Sequence, residues 1–282
     1  MKYYTLLFVL FIALSCSKKE DDTIPQNDIP SQNDDNQDNT DGDGQDDDTP
    51  GDDQDNTTSL IDNFDGTGAL IDYTTNNASA LPNVSRASGR YRAALTDNTD
   101  NKTLHYNQDQ GRLDAKLVTF PFEFIARNIG IGTIADSQIA PTSDNNPYNF
   151  CGVQVHVEDF NSINSSHVVV GHRGSTGFTI EGKNTLNGDS SVNDIGENTV
   201  PEGRADIRIV GNNDKTLTVY WQRPNLTGNS SSDDWTLYND NGLLPGTAPT
   251  YGDNVYVGLI TYAFYSTGVP FVGTCDSIEI KK

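Results

Sequence analysis

The chain is 282 residues long, carries a net charge of −22 and is only 34% apolar, a balance that, averaged over the length, suits an unfolded polymer. The charge is unevenly placed: between residues 17 and 57 fourteen Asp and one Glu stand against Lys18 and Lys19, a net −13, while residues 58–282 carry −10 and Lys2 the remaining +1. This excludes a basic nucleic-acid-binding surface, because an anionic chain repels phosphate, and it separates a charged tail from about 225 residues of a size that suits one all-β domain.

Lys2 is followed by an apolar run over 6–14 and then by Ser15 and Cys16. The run is shorter than a membrane-spanning helix, so residues 1–15 read as a signal peptide and not as an anchor. Cys16 resembles the lipidated cysteine of a bacterial lipoprotein box, with Leu14 one place closer to it than the usual pattern has; the alternative is an ordinary secretory leader with an incidental cysteine. Either delivers the domain outside the cytoplasm, and the lipidated form places it at the outer membrane or cell surface, touching the membrane through the lipid alone. The run Ser17, Lys18, Lys19, Glu20, Asp21, Asp22 resembles the charged signal that moves some Gram-negative lipoproteins to the cell surface. Residues 16–57, rich in Asp, Asn, Gln, Gly and Pro, lack the apolar side chains that offset the entropy of ordering and read as a disordered acidic linker. Within it Asn39, Asp41, Asp43 and Gly44 match the first half of an EF-hand loop, but Pro50 occupies the place of the bidentate Glu, which favours a solvated spacer.

From residue 58 to 282 no repeat is visible, and short runs of strand type are divided by Gly, Asn, Asp and Pro clusters. Strands are expected at 60–64, 89–95, 102–106, 115–126, 151–158, 167–173, 178–183, 205–210, 216–222, 254–264 and 274–281, and helical periodicity is nearly absent. Alternating strands at this spacing point to an antiparallel sandwich of two sheets, each with one buried face. In the segment 152–183 the alternation puts Gln154, His156, Thr179, Glu181 and Lys183 on faces opposite the apolar residues, as either a binding surface or a solvated wall. His167 and His172 have opposite parity, so three histidines of this segment do not converge on one metal. The strands 205–210 and 216–222 form the clearest hairpin, joined by GNNDK, whose Gly and Asn tolerate positive backbone angles. In its second strand Leu217, Val219 and Trp221 face the core and Tyr220 faces out.

The order DNFDG, ADIRIVGNNDKTLTVYWQRP, a loop Trp, VYVGLITYAF and a closing CDSIEIKK resembles the concanavalin A-like lectin/glucanase superfamily, including laminin-G-like modules, over nearly all of 59–282. The resemblance implies a jelly-roll β-sandwich with curved sheets whose sugars lie on the concave face or on loops at one rim; it does not by itself imply sugar binding. The candidate contact face is Gln154, His156, Glu181, Arg208 and Tyr220, with Trp235 and Tyr238 as rim aromatics able to stack on sugar rings. A structural calcium is also implied by the resemblance, with Asp62, Asp65 and Asp276 as its candidates. Cys151 and Cys275 either pair as a disulfide or remain two separate buried thiols.

Three function classes follow. The first is non-catalytic capture of a polysaccharide or oligosaccharide by a monomer. The second is an enzyme. Hydrolysis lacks the E-x-D-x-x-E strand that sets two carboxylates about a glycosidic bond. The tripeptide Gln154, Val155, His156 resembles the Q-[IV]-H signature of jelly-roll alginate lyases, in which Gln holds the substrate carboxylate and His accepts a proton, but the R-[ST]-E-L and Y-F-K-x-G-x-Y-x-Q strands are missing. The third is a structural or adhesive surface protein. Converging carboxylate, His and Tyr groups would mark the enzyme, and an aromatic groove without them the binding module.

Overall fold

The computed structural model describes residues 58–66, 71–95, 111–133, 148–225, 233–264 and 271–282. The leader 1–15, Cys16, the linker 16–57 with its EF-hand-like run, and the expected strand 102–106 lie outside the described residues.

The expected strand over 115–126 is two strands. Phe120 and Pro121 interrupt it, because proline has no N–H to give a ladder, and the two halves go to different sheets. In chain order the strands are β1 Ser59–Asp62, β2 Thr74–Asn76, β3 Asn83–Ala87, β4 Arg90–Leu95, β5 Arg112–Thr119, β6 Phe122–Gly132, β7 Tyr148–Val157, β8 Ser165–Arg173, β9 Gly177–Leu186, β10 Asp189–Asp194, β11 Arg204–Gly211, β12 Leu217–Gln222, β13 Thr236–Leu237, β14 Asn254–Phe264, β15 Phe271–Cys275 and β16 Ser277–Lys281. Among the described residues a nine-stranded sheet runs β13-β12-β11-β6-β15-β4-β3, with β16 also on β6 and β1 on β16. A seven-stranded sheet runs β10-β9-β8-β7-β14-β5-β2. Every pairing described is antiparallel. The fold is therefore the expected all-β sandwich.

The four strands with no counterpart in the expected set, β2, β3, β10 and β13, are the four that end the two pairing orders. Edge strands are kept short and polar, so they carry little alternation to read. Their sequences TTN, NVSRA, DSSVND and TL bear this out.

The core lies between the sheets. Ala205, Ile207 and Ile209 of β11, Phe124, Ala126, Ile129 and Ile131 of β6 and Ile278 and Ile280 of β16 meet Cys151, Val153 and Val155 of β7, Val168 and Val170 of β8 and Val255, Val257 and Leu259 of β14. The expected hairpin is present, with Arg208 opposite Tyr220 and Trp221 packed against the core. Its positive φ of 66° falls on Lys215, not on the Gly or Asn of the turn. Tyr238 is corrected from rim to core: it is 2% exposed, and its ring packs where Gly182 has no side chain, since a Cβ there would lie 2.5 Å from the ring. Its hydroxyl donates to Asn193 Oδ1 at 2.7 Å. Cys151 and Cys275 are two free buried thiols, of which Cys151 donates to the Thr274 carbonyl.

Candidate functional site

The outer face of the seven-stranded sheet can be built row by row from its register. Tyr256, His156, Ser165 and Thr185 lie side by side across β14, β7, β8 and β9; next come Gly258, Gln154, His167 and Lys183; then Ile260, Gly152, Val169 and Glu181; and last Tyr262, Phe150, Gly171 and Thr179. Alternation thus placed Gln154, His156 and Glu181 on one face, and the pairing brings those strands together. The same face carries a second apolar cluster of Leu113, Ala115, Phe150, Val169, Ile260 and Tyr262. It is not a solvated wall: His167 is 0% exposed, Lys183 1%, Gln154 4% and Glu181 7%.

The polar groups of this face form a chain centred on Tyr262. The Tyr262 hydroxyl donates to Glu181 Oε1 at 3.2 Å and lies 3.3 Å from His167 Nε2. A hydroxyl has one proton, so with Tyr262 donating to Glu181, His167 carries its hydrogen on Nε2 and donates it to the Tyr262 oxygen. That leaves His167 Nδ1 as an acceptor, buried and without a partner. Burial, with Lys183 nearby, holds the imidazole well below its usual pKa and therefore neutral. Gly152, between Phe150 and Gln154, has no room for a side chain, since a Cβ there would lie 2.2 Å from the Val168 carbonyl oxygen and 2.4 Å from Val169 Cα.

Arg173, at the end of β8, holds Glu181 from the other side, with Nε 2.9 Å from Oε2. The same guanidinium pairs with Asp194, the direct partner of Glu181 on β10. Burial raises Glu181 above the ordinary carboxylate range against the opposing pull of Arg173 and Lys183. Burial also raises Tyr262 and lowers Lys183. The two carboxylates are bridged by one guanidinium, an ion triad and not the separated acid and nucleophile of a glycosidase. Gln154 Nε2 donates to Ser165 Oγ at 3.1 Å, and His156 Nδ1 lies 2.8 Å from the Val157 carbonyl. Half-buried aromatics flank this end: Phe160 stacks on Tyr256 with centroids 4.3 Å apart and tilts against His156 at 5.1 Å.

Arg208 and Tyr220 do not join this face. Their strands belong to the nine-stranded sheet, where the Arg208 guanidinium sits 5.0 Å from the Tyr220 ring and pairs with Glu123. Trp235 lies beside the same sheet, 4.9 Å from the Arg127 guanidinium. The expected single contact face is thus two faces on opposite sheets, because parity orders residues within a strand but does not assign strands to sheets. His167, Tyr262, Arg173, Asp194, Tyr256 and Phe160 were absent from the expected site. The matching parity of Tyr256 and Tyr262 was a readable signal, and the register was not.

The calcium candidates are already engaged. Asp62 accepts from the Phe64 N–H at 2.8 Å and the Tyr73 hydroxyl at 3.0 Å; Asp276 accepts from Arg90 and Asn128, both at 2.7 Å. Asp65 has a partner of its own. Asp276, paired with Arg90, is a poor fit to a calcium shell, and among the described residues no group of three or more His, Cys, Asp or Glu side chains is arranged to hold a metal.

No protein-family model and no curated protein matches the sequence. Among solved structures the chain is similar to a xylan β-1,4-xylosidase from Bacillus halodurans C-125, with 13% identity, a TM-score of 0.52, and 79% of this chain covered against 39% of that one. It is also similar to a Bacillus licheniformis β-glucanase, at 13% identity and TM-score 0.43 over 79% of this chain and 98% of that one. A β-1,3-1,4-glucanase (lichenase) derived from a mouse hindgut metagenome matches at 7% identity and TM-score 0.43, again over 79% and 98%. The chain spans about two fifths of the xylosidase. At these identities the likeness concerns the fold, and the fold is the concanavalin A-like β-sandwich.

Proposed function

We propose that this protein is a lipid-anchored, surface-displayed carbohydrate-binding sandwich that captures a glycan without cleaving it, along the outer face of the seven-stranded sheet. The observation that carries this reading is the meeting of Gln154, His156, His167, Glu181 and Tyr262 on one face, beside half-buried Tyr256 and Phe160. An apolar, aromatic-lined surface with a few placed hydrogen-bonding groups is the usual chemistry of a sugar site, and the xylosidase that shares the fold acts on a glycan by its name. A second reading, a polysaccharide lyase acting on an anionic glycan, is favoured by the His167–Tyr262–Glu181 chain, which supplies a neutral imidazole and a phenol near Gln154 and His156.

A glycan array with parallel product analysis separates the readings. Binding without chain shortening, weakened about tenfold or more in Gln154→Ala and His156→Ala, is the expected result. Unsaturated products from an anionic glycan, lost in His156→Ala, would replace capture by the lyase. No response to any glycan would sink both and leave the structural or adhesive class.

The anchor rests on Cys16 and the leader before it. Labelling with a palmitate analogue in a Gram-negative host is expected to mark the wild-type chain and not Cys16→Ala; equal labelling of the two would rule the anchor out.

A further inference from the structure

On the outer face of the nine-stranded sheet, neighbouring strands lose their regular alternation at one place. In β6 the core residues Ala126 and Ile129 are three apart instead of two, and Asn128 between them has a φ of 48°. The pairing of β6 with β11 shifts between Ala205 and Ile207, on either side of Asp206. Strands β15 and β16 break at Asp276, whose N–H donates to the Arg127 carbonyl at 2.9 Å. Bulges re-aim side chains, and these turn toward one another. The Asn128 backbone N–H donates to Asp206 Oδ1 at 2.7 Å, and Gln222 Nε2 donates to Asp206 Oδ2 at 2.9 Å. Asn128 Nδ2 donates to Asp276 Oδ2 at 2.7 Å.

Because both amide nitrogens bond carboxylates, the orientation of each amide is settled. What remains is Asn128 Oδ1 and Gln222 Oε1, on side chains 5% and 7% exposed, each a buried acceptor with no donor. Two such oxygens, one on the Gln222 amide bonded to Asp206 and one on the Asn128 amide bonded to Asp276, are costly unless a donor reaches them. Beside the Asp206 carboxylate lies Arg127, which pairs with Asp206 at 3.1 Å and Asp233 at 3.0 Å and stacks on Trp235.

We propose that this bulge is a second saccharide site, on the opposite sheet from the first, in which ligand hydroxyls donate to Asn128 Oδ1 and Gln222 Oε1 while a sugar C–H face packs on Trp235. The ligand must bring donors, because the orphaned atoms are acceptors. It is neutral, because each of the carboxylates of Asp206, Asp233 and Asp276 already has a guanidinium partner in Arg127 or Arg90. Hydroxyls beside an apolar face are what a sugar ring presents to Trp. The two oxygens have almost no exposed surface, so a ligand reaches them only when neighbouring side chains move, a movement we assign to Trp235. That residue immediately precedes β13, a two-residue strand at the end of the sheet. The site does not depend on the reading of the seven-stranded face and can fail separately from it.

The chain has two tryptophans, so in full-length Trp221→Phe the indole emission comes from Trp235 alone. Titration with cellohexaose or xylohexaose is expected to give a saturable change in that emission, with apparent affinity about tenfold weaker in Asn128→Gly and in Gln222→Met. Glycine accepts the positive φ at 128, and Met keeps the length of Gln222, so neither change forces the backbone; urea unfolding midpoints check that each variant folds. No saturable response to either neutral hexasaccharide, a response to hexagalacturonate alone, or a response unaltered in whichever of the two variants fold would overturn the proposal.

Discussion

Replacing Asp114 by Asn is expected to destabilise the protein by about 3–5 kcal/mol, the cost of breaking a buried ion pair from one side. Asp114 is 0% exposed and lies between the sheets. Its carboxylate accepts from the Thr75 hydroxyl at 2.6 Å, the Tyr91 hydroxyl at 2.8 Å and Arg112 Nε at 3.0 Å, and Arg86 lies 2.6 Å away as an ion pair without hydrogen-bond alignment. One carboxylate therefore ties β2 and β5 of one sheet to β3 and β4 of the other. Losing the charge leaves two guanidinium groups without their counter-ion. For a domain of this size the shift in Tm should be on the order of 10 °C, against almost none for Asp189→Asn on the exposed edge strand. Burial works to raise the Asp114 pKa, but the hydrogen bonds from Arg112 and Thr75 and the charge of Arg86 hold it below the ordinary value of 3.8. A depressed carboxylate contributes stability above its unfolded pKa and loses it as pH falls through the folded value. The wild type should thus lose this contribution only below about pH 4, and the gap to Asp114→Asn should close there. A variant as stable as the wild type at pH 7 would refute the inter-sheet role.

Arg173→Met is expected to lose its deficit in a higher pH window than Asp114→Asn does. Without the guanidinium, Glu181 and Asp194 face each other across β9 and β10 with no bridging cation, and burial already raises Glu181 with Arg173 in place. A carboxylate whose folded pKa lies above its unfolded value costs stability as pH rises from the unfolded value through the folded one. The deficit of Arg173→Met should therefore be about 2–4 kcal/mol at pH 8 and shrink toward pH 5, where Glu181 takes up its proton. Thermal melts of both proteins at the two pH values measure this. A deficit independent of pH would mean that Arg173 acts through packing alone. Glycan affinity on the seven-stranded face should fall in parallel, because Arg173 fixes the Glu181 carboxylate that Tyr262 bonds.

The two variants probe different layers of the molecule, and the sequence was informative about them to different degrees. Glu181 was legible because apolar and polar residues alternate through 178–183, which places its side chain opposite Ile180. Asp114 was not, because it sits on the core face of a strand where a charge is unexpected, and only the convergence of Thr75, Tyr91, Arg86 and Arg112 makes that position tenable. The same difference separates Gln154 and His156, which were foreseen, from Tyr262 and His167, whose contact depends on β14, β7, β8 and β9 lying in that order.

What the sequence determined by itself is local: strand type, the face each side chain takes within a strand, and the two-sheet class that so many alternating runs require. The period of two is written in the backbone, so these need no partner to be read. Which sheet a strand joins, and hence that Arg208 and Tyr220 lie opposite the face of Gln154, was decided by the tertiary structure alone. So were the break at Phe120 and Pro121 that sends β5 and β6 to different sheets, and the bulge that gathers Asn128, Asp206 and Asp276. Pairing between strands far apart in the chain depends on the whole core that is buried when the sheets close, and no single segment carries that information.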